Sequence, residues 1–424
     1  MTNSRIGNQY WGRIAGTPYD RMAAEWVMAQ FKRVGLEQVH MQEFDLPEQW
    51  FPTSWDVTVK GSVTTVPIKT AFPLYASVGT KGGETVFLEP VWVGTGMTAD
   101  FMGRDLKGKA AVVYGFPNPG GRENSAITFQ AIAHAQEAGA AALIMVLGIP
   151  GNVMNEPAGG ATTPPATMPV FIIGNQDGTA IREMIEKHES PKIQVRLTVE
   201  MKTGLKSASV FGVLPGTGDE NVALMAHTDC FFEGAMDNAS GMSTIMALAE
   251  HYAKVPKAQR KRSMVFFTTS AHHSPSGPNG GTQWVRANMK ATLEKTAVLL
   301  NAEHTAQVAT YLVGGTMYAS NLVSARRWFV GGSDQLKAIV DRVFKQYGMA
   351  LYSTPETRPG GELGSLSTMA PSFHIIDHTV YHTDLDTLKA VPAYGLEQSA
   401  RAFAKVIDEV NKLPLSQLRV NIPQ

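Results

Sequence analysis

NVALMAHTDCFFEGAMDNASGMSTIMALAEHYAKV (residues 221–255) decides the fold. It opens on an almost unbroken apolar run, NVALMA, the pattern of a strand buried on both faces. From Ser240, apolar residues recur at helical spacing through GMSTIMALAEHYAKV, which predicts a helix. The same order returns downstream. SMVFFTT (263–269) reads as a strand and TQWVRANMKATLEK (282–295) as a helix. TAVLLNA (296–302) and SFHII (372–376) read as strands, and GLEQSARAFAKVIDEV (395–410) as a last helix. Such alternation implies an α/β fold, a mostly parallel sheet flanked by helices on both faces. Sheets of this kind carry their sites outside the carboxyl ends of the strands.

Those ends are where the chemistry-bearing residues collect. His227 and Asp229 follow the first strand, and Asp237 comes ten residues after His227. SMVFFTTSA runs into His272-His273, TAVLLNA into Glu303-His304, and SFHIID into His378 and then His382, Asp384 and Asp386 of VYHTDLDTL. Eight of the eleven histidines fall between 227 and 382, so imidazole is concentrated in this part of the chain. Histidine with carboxylate is a ligand set that zinc, manganese or iron accepts. Asp229, two residues from His227, is placed to hold that imidazole's other nitrogen, and Asp384 stands in the same relation to His382.

The rest of the chain sets limits. At 424 residues it is long for one core, so two domains are expected. Lys+Arg and Asp+Glu both number 37, and no net field points to nucleic acid or to a membrane surface. Cys230 is the single cysteine, which excludes an internal disulfide and a multi-cysteine zinc site. The longest apolar run, AGAAALIMVLGIP (138–150), is too short to span a bilayer. MTNSRIGNQYW lacks the basic start and apolar stretch of a signal peptide, so the sequence as it stands reads as cytoplasmic. A removed leader would make the protein periplasmic or secreted. Near the start, GTPYDRMAAEWVMAQFKRVGL reads as an amphipathic helix with Met22, Trp26, Ala29 and Val34 near one face. Between about 55 and 200 the texture changes to short β-runs and turns around one helix, FQAIAHAQEAGA (129–140). This predicts a separate α+β module, residues 56–203, inserted into an α/β domain made of 1–55 and 204–424.

HTD(x)7DNASG together with YHTDLDTL resembles the co-catalytic zinc aminopeptidases and carboxypeptidases over most of residues 10–45 and 205–415. GRDLKGKAAVVYG, AIAHAQEAGAAALIMV and MPVFIIGNQDG resemble the protease-associated domain that members carry as an insertion. The resemblance implies that His227 ligates one metal, Asp237 bridges two, Glu303 takes an aspartate ligand position and His382 ligates the second metal. It also marks a departure. Where the family has adjacent glutamates, a general base and a ligand, this chain has His272-His273, which implies His272 as base and His273 as ligand.

With only Asp237 and Glu303 as ligand carboxylates, two divalent ions would leave about +2 in a partly dry cleft, whereas one would be neutral. The expectation is therefore one ion, zinc by preference, rather than two. Arg358 and His304 are candidates for holding a substrate, as are Arg326, Arg327 and the aromatic set Phe231, Phe232, Trp284 and Trp328. The leading functional reading is a metal-dependent hydrolase acting on an amide or ester of a peptide or small molecule. The alternatives are a metal-dependent lyase or hydratase acting on a small carbonyl compound, and a binding module without catalysis.

Overall fold

The computed structural model describes residues 12–117, 125–126, 130–156, 165–274, 280–313, 316–376, 380–420 and 422. Its largest sheet has seven strands: β1 (Glu37–Asp45), β2 (Lys206–Leu214), β3 (Asn221–His227), β4 (Ser263–Thr269), β5 (Thr296–Ala302), β6 (Arg327–Gly331) and β7 (Ser372–Ile376). They lie in the order β1-β2-β4-β3-β5-β7-β6, so the NVALMA strand is the middle one and is buried at every residue. The four central strands β4, β3, β5 and β7 run parallel. The edges do not: β1, β2 and β6 pair antiparallel with their neighbours. The sheet is thus mixed, with a parallel centre and antiparallel edges.

Four helices cover one face: α1 (Pro18–Arg33), α2 (Gly241–Ala253), α4 (Asp334–Gln346) and α5 (Ala393–Val410). Phe31, Leu248, Phe344 and Phe403 from these helices share a core with Leu224, Leu300 and Phe373 of the sheet. Helix α3 (Gly280–Asn288) covers the other face, where Val285 packs with Met225, Phe267 and Leu299. The helix expected over 282–295 is two helices, Gly280–Asn288 and Lys290–Glu294, divided at the buried Met289. In α1 the buried face is Ala23, Ala24, Val27 and Phe31, while Met22 and Trp26 are exposed. The helical period admits both stripes, and the sheet takes the one that ends on Phe31.

Among the described residues, 49–202 build two larger sheets and a short antiparallel pair, Phe116–Pro117 with Ser125–Ala126. One is a four-stranded antiparallel sheet in the order Thr65–Pro67, Gln49–Lys60, Lys192–Lys202, Val86–Leu88. The other has parallel strands Val170–Ile173, Ala142–Val146, Ala110–Tyr114 and Pro90–Gly94, with Phe72–Pro73 antiparallel at one edge. The expected boundary at 55/56 would cut the strand Gln49–Lys60, which lies wholly in this unit. The crossing falls instead at Leu46–Glu48. The two ends of the insertion are adjacent, because Asp45 of β1 pairs with Lys206 of β2.

The two units share a core. Ile14, Phe231 and Phe232 pack with Trp55, Phe72 and Phe171 of the inserted unit, and the Phe72 and Phe232 ring centroids are 5.3 Å apart. The loop between His227 and Asp237 is therefore pinned from outside. Among the described residues, no helix is long and apolar enough to cross a membrane.

Candidate metal centre

Asp237 is the hub. It is buried, and four imidazoles meet its carboxylate. His227 Nε2 and His304 Nε2 each lie 3.0 Å from Oδ1. His273 Nε2 is 3.1 Å and His382 Nε2 3.2 Å from Oδ2. These atoms form two overlapping sets able to hold an ion, His227/Asp237/His304 and Asp237/His273/His382.

Each donor is aimed by its surroundings. His227, at the carboxyl end of β3, has Nδ1 3.0 Å from the Asp229 carbonyl. A carbonyl only accepts, so Nδ1 carries the proton and Nε2 turns its lone pair to Asp237. His382 is set likewise, with Nδ1 3.1 Å from the Glu156 carbonyl. The His273 amide donates to Asp229 Oδ2 at 2.7 Å, so Asp229 braces both strand ends. Asp237 itself is held from behind, where Asp386 accepts from the Met236 and Asp237 amides at 2.6 and 3.0 Å. Ala271, His304 and His382 sit at φ of 59°, 47° and 54°, a left-handed backbone that non-glycine residues keep only where neighbours impose it.

The donor set fits a divalent ion. In each set two imidazoles meet an ionised carboxylate at N–O distances of 3.0–3.2 Å, a repulsive arrangement of lone pairs unless a cation lies among them. His227 Nε2 is buried and makes no hydrogen bond of good angle. Tetrahedral zinc with bonds of about 2.0–2.1 Å places its ligand atoms about 3.3 Å apart, close to the spacing found. Without an ion, protons take its place. Burial alone would lower His227, yet Glu362, Asp229 and Asp237 hold it well above its usual value. Burial would likewise raise Asp237, but His273 and His304 hold it well below the carboxylate range. Burial and the neighbouring cationic rings push His273 down to about 4.

Glu303 is not at the hub. His304 faces Asp237 there, its left-handed φ turning the ring back to that carboxylate, while Glu303 belongs to a further set able to hold an ion. The Glu303 carboxylate gathers instead with His227, His272 and Glu362. Its Oε2 accepts from Asn301 Nδ2 at 2.8 Å, and its Oε1 is 4.0 Å from His272 Nε2. Glu362, which the sequence reading did not single out, accepts from Thr269 Oγ1 at 2.8 Å and lies 3.9 Å from His272 Nδ1. Its only signal in the sequence was its place in TRPGGELG. His272 thus stands between two buried carboxylates, and burial lowers its pKa despite them.

Other expectations change as well. Asp384 does not reach the His382 ring; its Oδ1 accepts from the Met154 amide at 3.1 Å. Arg358 is exposed. Arg326 is buried and donates to the Thr305 carbonyl and Ser399, and Arg327 donates to Glu356, so both guanidiniums serve the fold. Of the aromatic set only Phe231 borders the centre, with its ring centroid 4.9 Å from that of His382. Tyr381 stacks on His382 at 3.7 Å. His378 lies outside the described residues.

Residues 209–407 match peptidase family M28, and residues 73–181 match the PA domain. No match is found among curated proteins. Among the solved structures similar over nearly the whole chain are these three. A peptidase M28 precursor from Shewanella amazonensis SB2B has 18% identity and a TM-score of 0.72, covering 97% of this chain and 92% of that one. BSAP, a zinc aminopeptidase from Bacillus subtilis, has 18% identity and a TM-score of 0.67, covering 97% and 94%. An aminopeptidase from Aneurinibacillus sp. strain AM-1 has 20% identity and a TM-score of 0.62, covering 94% and 90%. At these identities the likeness bears on the fold, an aminopeptidase-like α/β domain with an insert. The match to peptidase family M28 thus falls on the α/β unit, over residues 209–407, and the match to the PA domain falls within the unit inserted ahead of it.

Proposed function

We propose that this protein is a metal-dependent hydrolase that cleaves an amide or ester bond in a peptide or small molecule. The observation that carries the reading is the convergence of His227, His273, His304 and His382 on the buried carboxylate of Asp237. Similarity in fold to a zinc aminopeptidase supports zinc as the ion. A divalent ion bound there would polarise a substrate carbonyl and lower the pKa of water.

His272 supplies the base. Burial keeps its ring neutral, the form that accepts a proton. Once protonated it becomes a cation facing Glu362 at 3.9 Å and Glu303 at 4.0 Å. Thr269 and Asn301 hold those carboxylates in place, so the charge that forms meets fixed opposite charge. The pair also alters the balance that favoured one ion. With Glu362 counted, three buried carboxylates face the centre, and two ions would leave about +1 rather than +2.

The test is a panel of aminoacyl anilides, dipeptides and esters assayed with and without chelator. Chelator-sensitive turnover of at least one amide or ester is expected, and His272→Ala should lower it by about two to four decades with the metal content unchanged. No chelator-sensitive turnover of any member would sink the hydrolase reading.

A further inference from the structure

The metal-ligand loop is held by the inserted domain. Met154, Asn155 and Glu156 leave that domain and lie along Tyr381–Asp384 as a short antiparallel strap, with Asn155 bridged to Thr383. The Glu156 amide donates to the His382 carbonyl at 2.9 Å, and Asn155 Nδ2 donates to the same oxygen at 3.0 Å. The Asp384 amide donates to the Met154 carbonyl at 3.1 Å. His382 Nδ1–H in turn donates to the Glu156 carbonyl at 3.1 Å, and the Glu156 carboxylate stands 3.4 Å from the same nitrogen. Asn155 and Glu156 are both buried.

We propose that Asn155 and Glu156 are positioning residues of the metal centre, so that the inserted domain decides how tightly the ion at Asp237, His273 and His382 is held. Three physical effects combine. Donation from Nδ1 fixes the tautomer that leaves Nε2 as the ligand atom. The nearby carboxylate raises the basicity of the ring, as carboxylate partners of metal-bound histidines do. The two bonds to the His382 carbonyl hold a residue whose backbone lies at φ 54°, a conformation it would otherwise leave. A structural strap alone would need neither the ring bond nor the buried carboxylate behind it.

The inference rests on the metal-centre reading, and the experiment separates the two. Zinc affinity is measured by competition with a chelating dye for the full chain, for Glu156→Gln, which keeps shape and removes charge, and for Asn155→Ala. About tenfold to a hundredfold weaker retention of the ion is expected in each variant, the usual effect of losing a partner behind a ligand. Affinities within twofold of the unaltered chain would overturn the proposal while leaving the centre itself standing. No zinc binding by the unaltered chain would overturn both. Hydrogen exchange on the unaltered chain needs no variant. Zinc should protect the peptide holding Met154–Glu156 together with that holding 380–386, and protection of the second alone would count against the strap.

Discussion

At the residue scale, the centre turns on which of two adjacent side chains faces Asp237. Glu303 and His304 follow the same strand, and only the backbone at 304, with φ 47°, turns an imidazole to the hub. Removal of the two should therefore have different effects. His304→Ala should lose an ion from the protein, because it deletes a donor 3.0 Å from Asp237 Oδ1. Glu303→Gln should keep that ion, because its carboxylate contacts Asn301 and faces His272 instead. Metal analysis after dialysis decides the matter. Full metal content in His304→Ala with loss in Glu303→Gln would restore Glu303 to the ligand position.

At the scale of elements, α1 is tied to the sheet by a carboxylate rather than by apolar contact alone. Asp20 accepts from Ser207 Oγ at the start of β2 and from Ser270 Oγ just past β4, both at 2.6 Å, and from the Gly16 amide. Burial raises its pKa to about 6, and these hydrogen bonds offset only part of the rise. An acid whose folded pKa is raised holds its proton longer folded than unfolded, so stability is greatest below the unfolded value near 4. It falls as the pH climbs from about 4 to about 6, by up to about 3 kcal/mol for this group. Asp20→Asn cannot ionise and should remove that slope. Urea unfolding at pH 4, 5, 6 and 7 is the measurement, and an unchanged slope in the variant would assign it to other groups.

At the scale of the whole molecule, the two units meet around the loop from His227 to Asp237. Phe232 of that loop is fully buried in the inserted unit's core, and Phe231 lies between that core and His382. Ion binding on one side should therefore stabilise both units together. Zinc at a hundred times its dissociation constant adds about 2.7 kcal/mol to the state that binds it. Calorimetry of the zinc-loaded chain should show one transition moved upward. Phe232→Ala opens a cavity at the shared core, costs about 3–5 kcal/mol, and should split that transition in two. A single transition in the variant, shifted equally by zinc, would mean the coupling runs elsewhere.

The sequence by itself determined the central strands, the helices between them, the unit inserted between β1 and β2, and the rim on which His227, Asp237, His273 and His382 meet. It did so because burial on both faces leaves an apolar run, and helix or strand repeats every few residues. The motifs at the strand ends then added a family resemblance that the matches over 209–407 and 73–181 bear out. Only the tertiary structure set His304 against Asp237 and Glu303 beside His272, put Asp386 rather than Asp384 behind the hub, and buried one stripe of α1 rather than the other. Glu362 and Glu156 also came from the fold alone. The reason is one of range. Where a side chain points at a chain reversal depends on the sign of φ, and that is imposed by neighbours distant in sequence. Glu156 and His382 are 226 positions apart and meet through a hydrogen bond that no local pattern encodes.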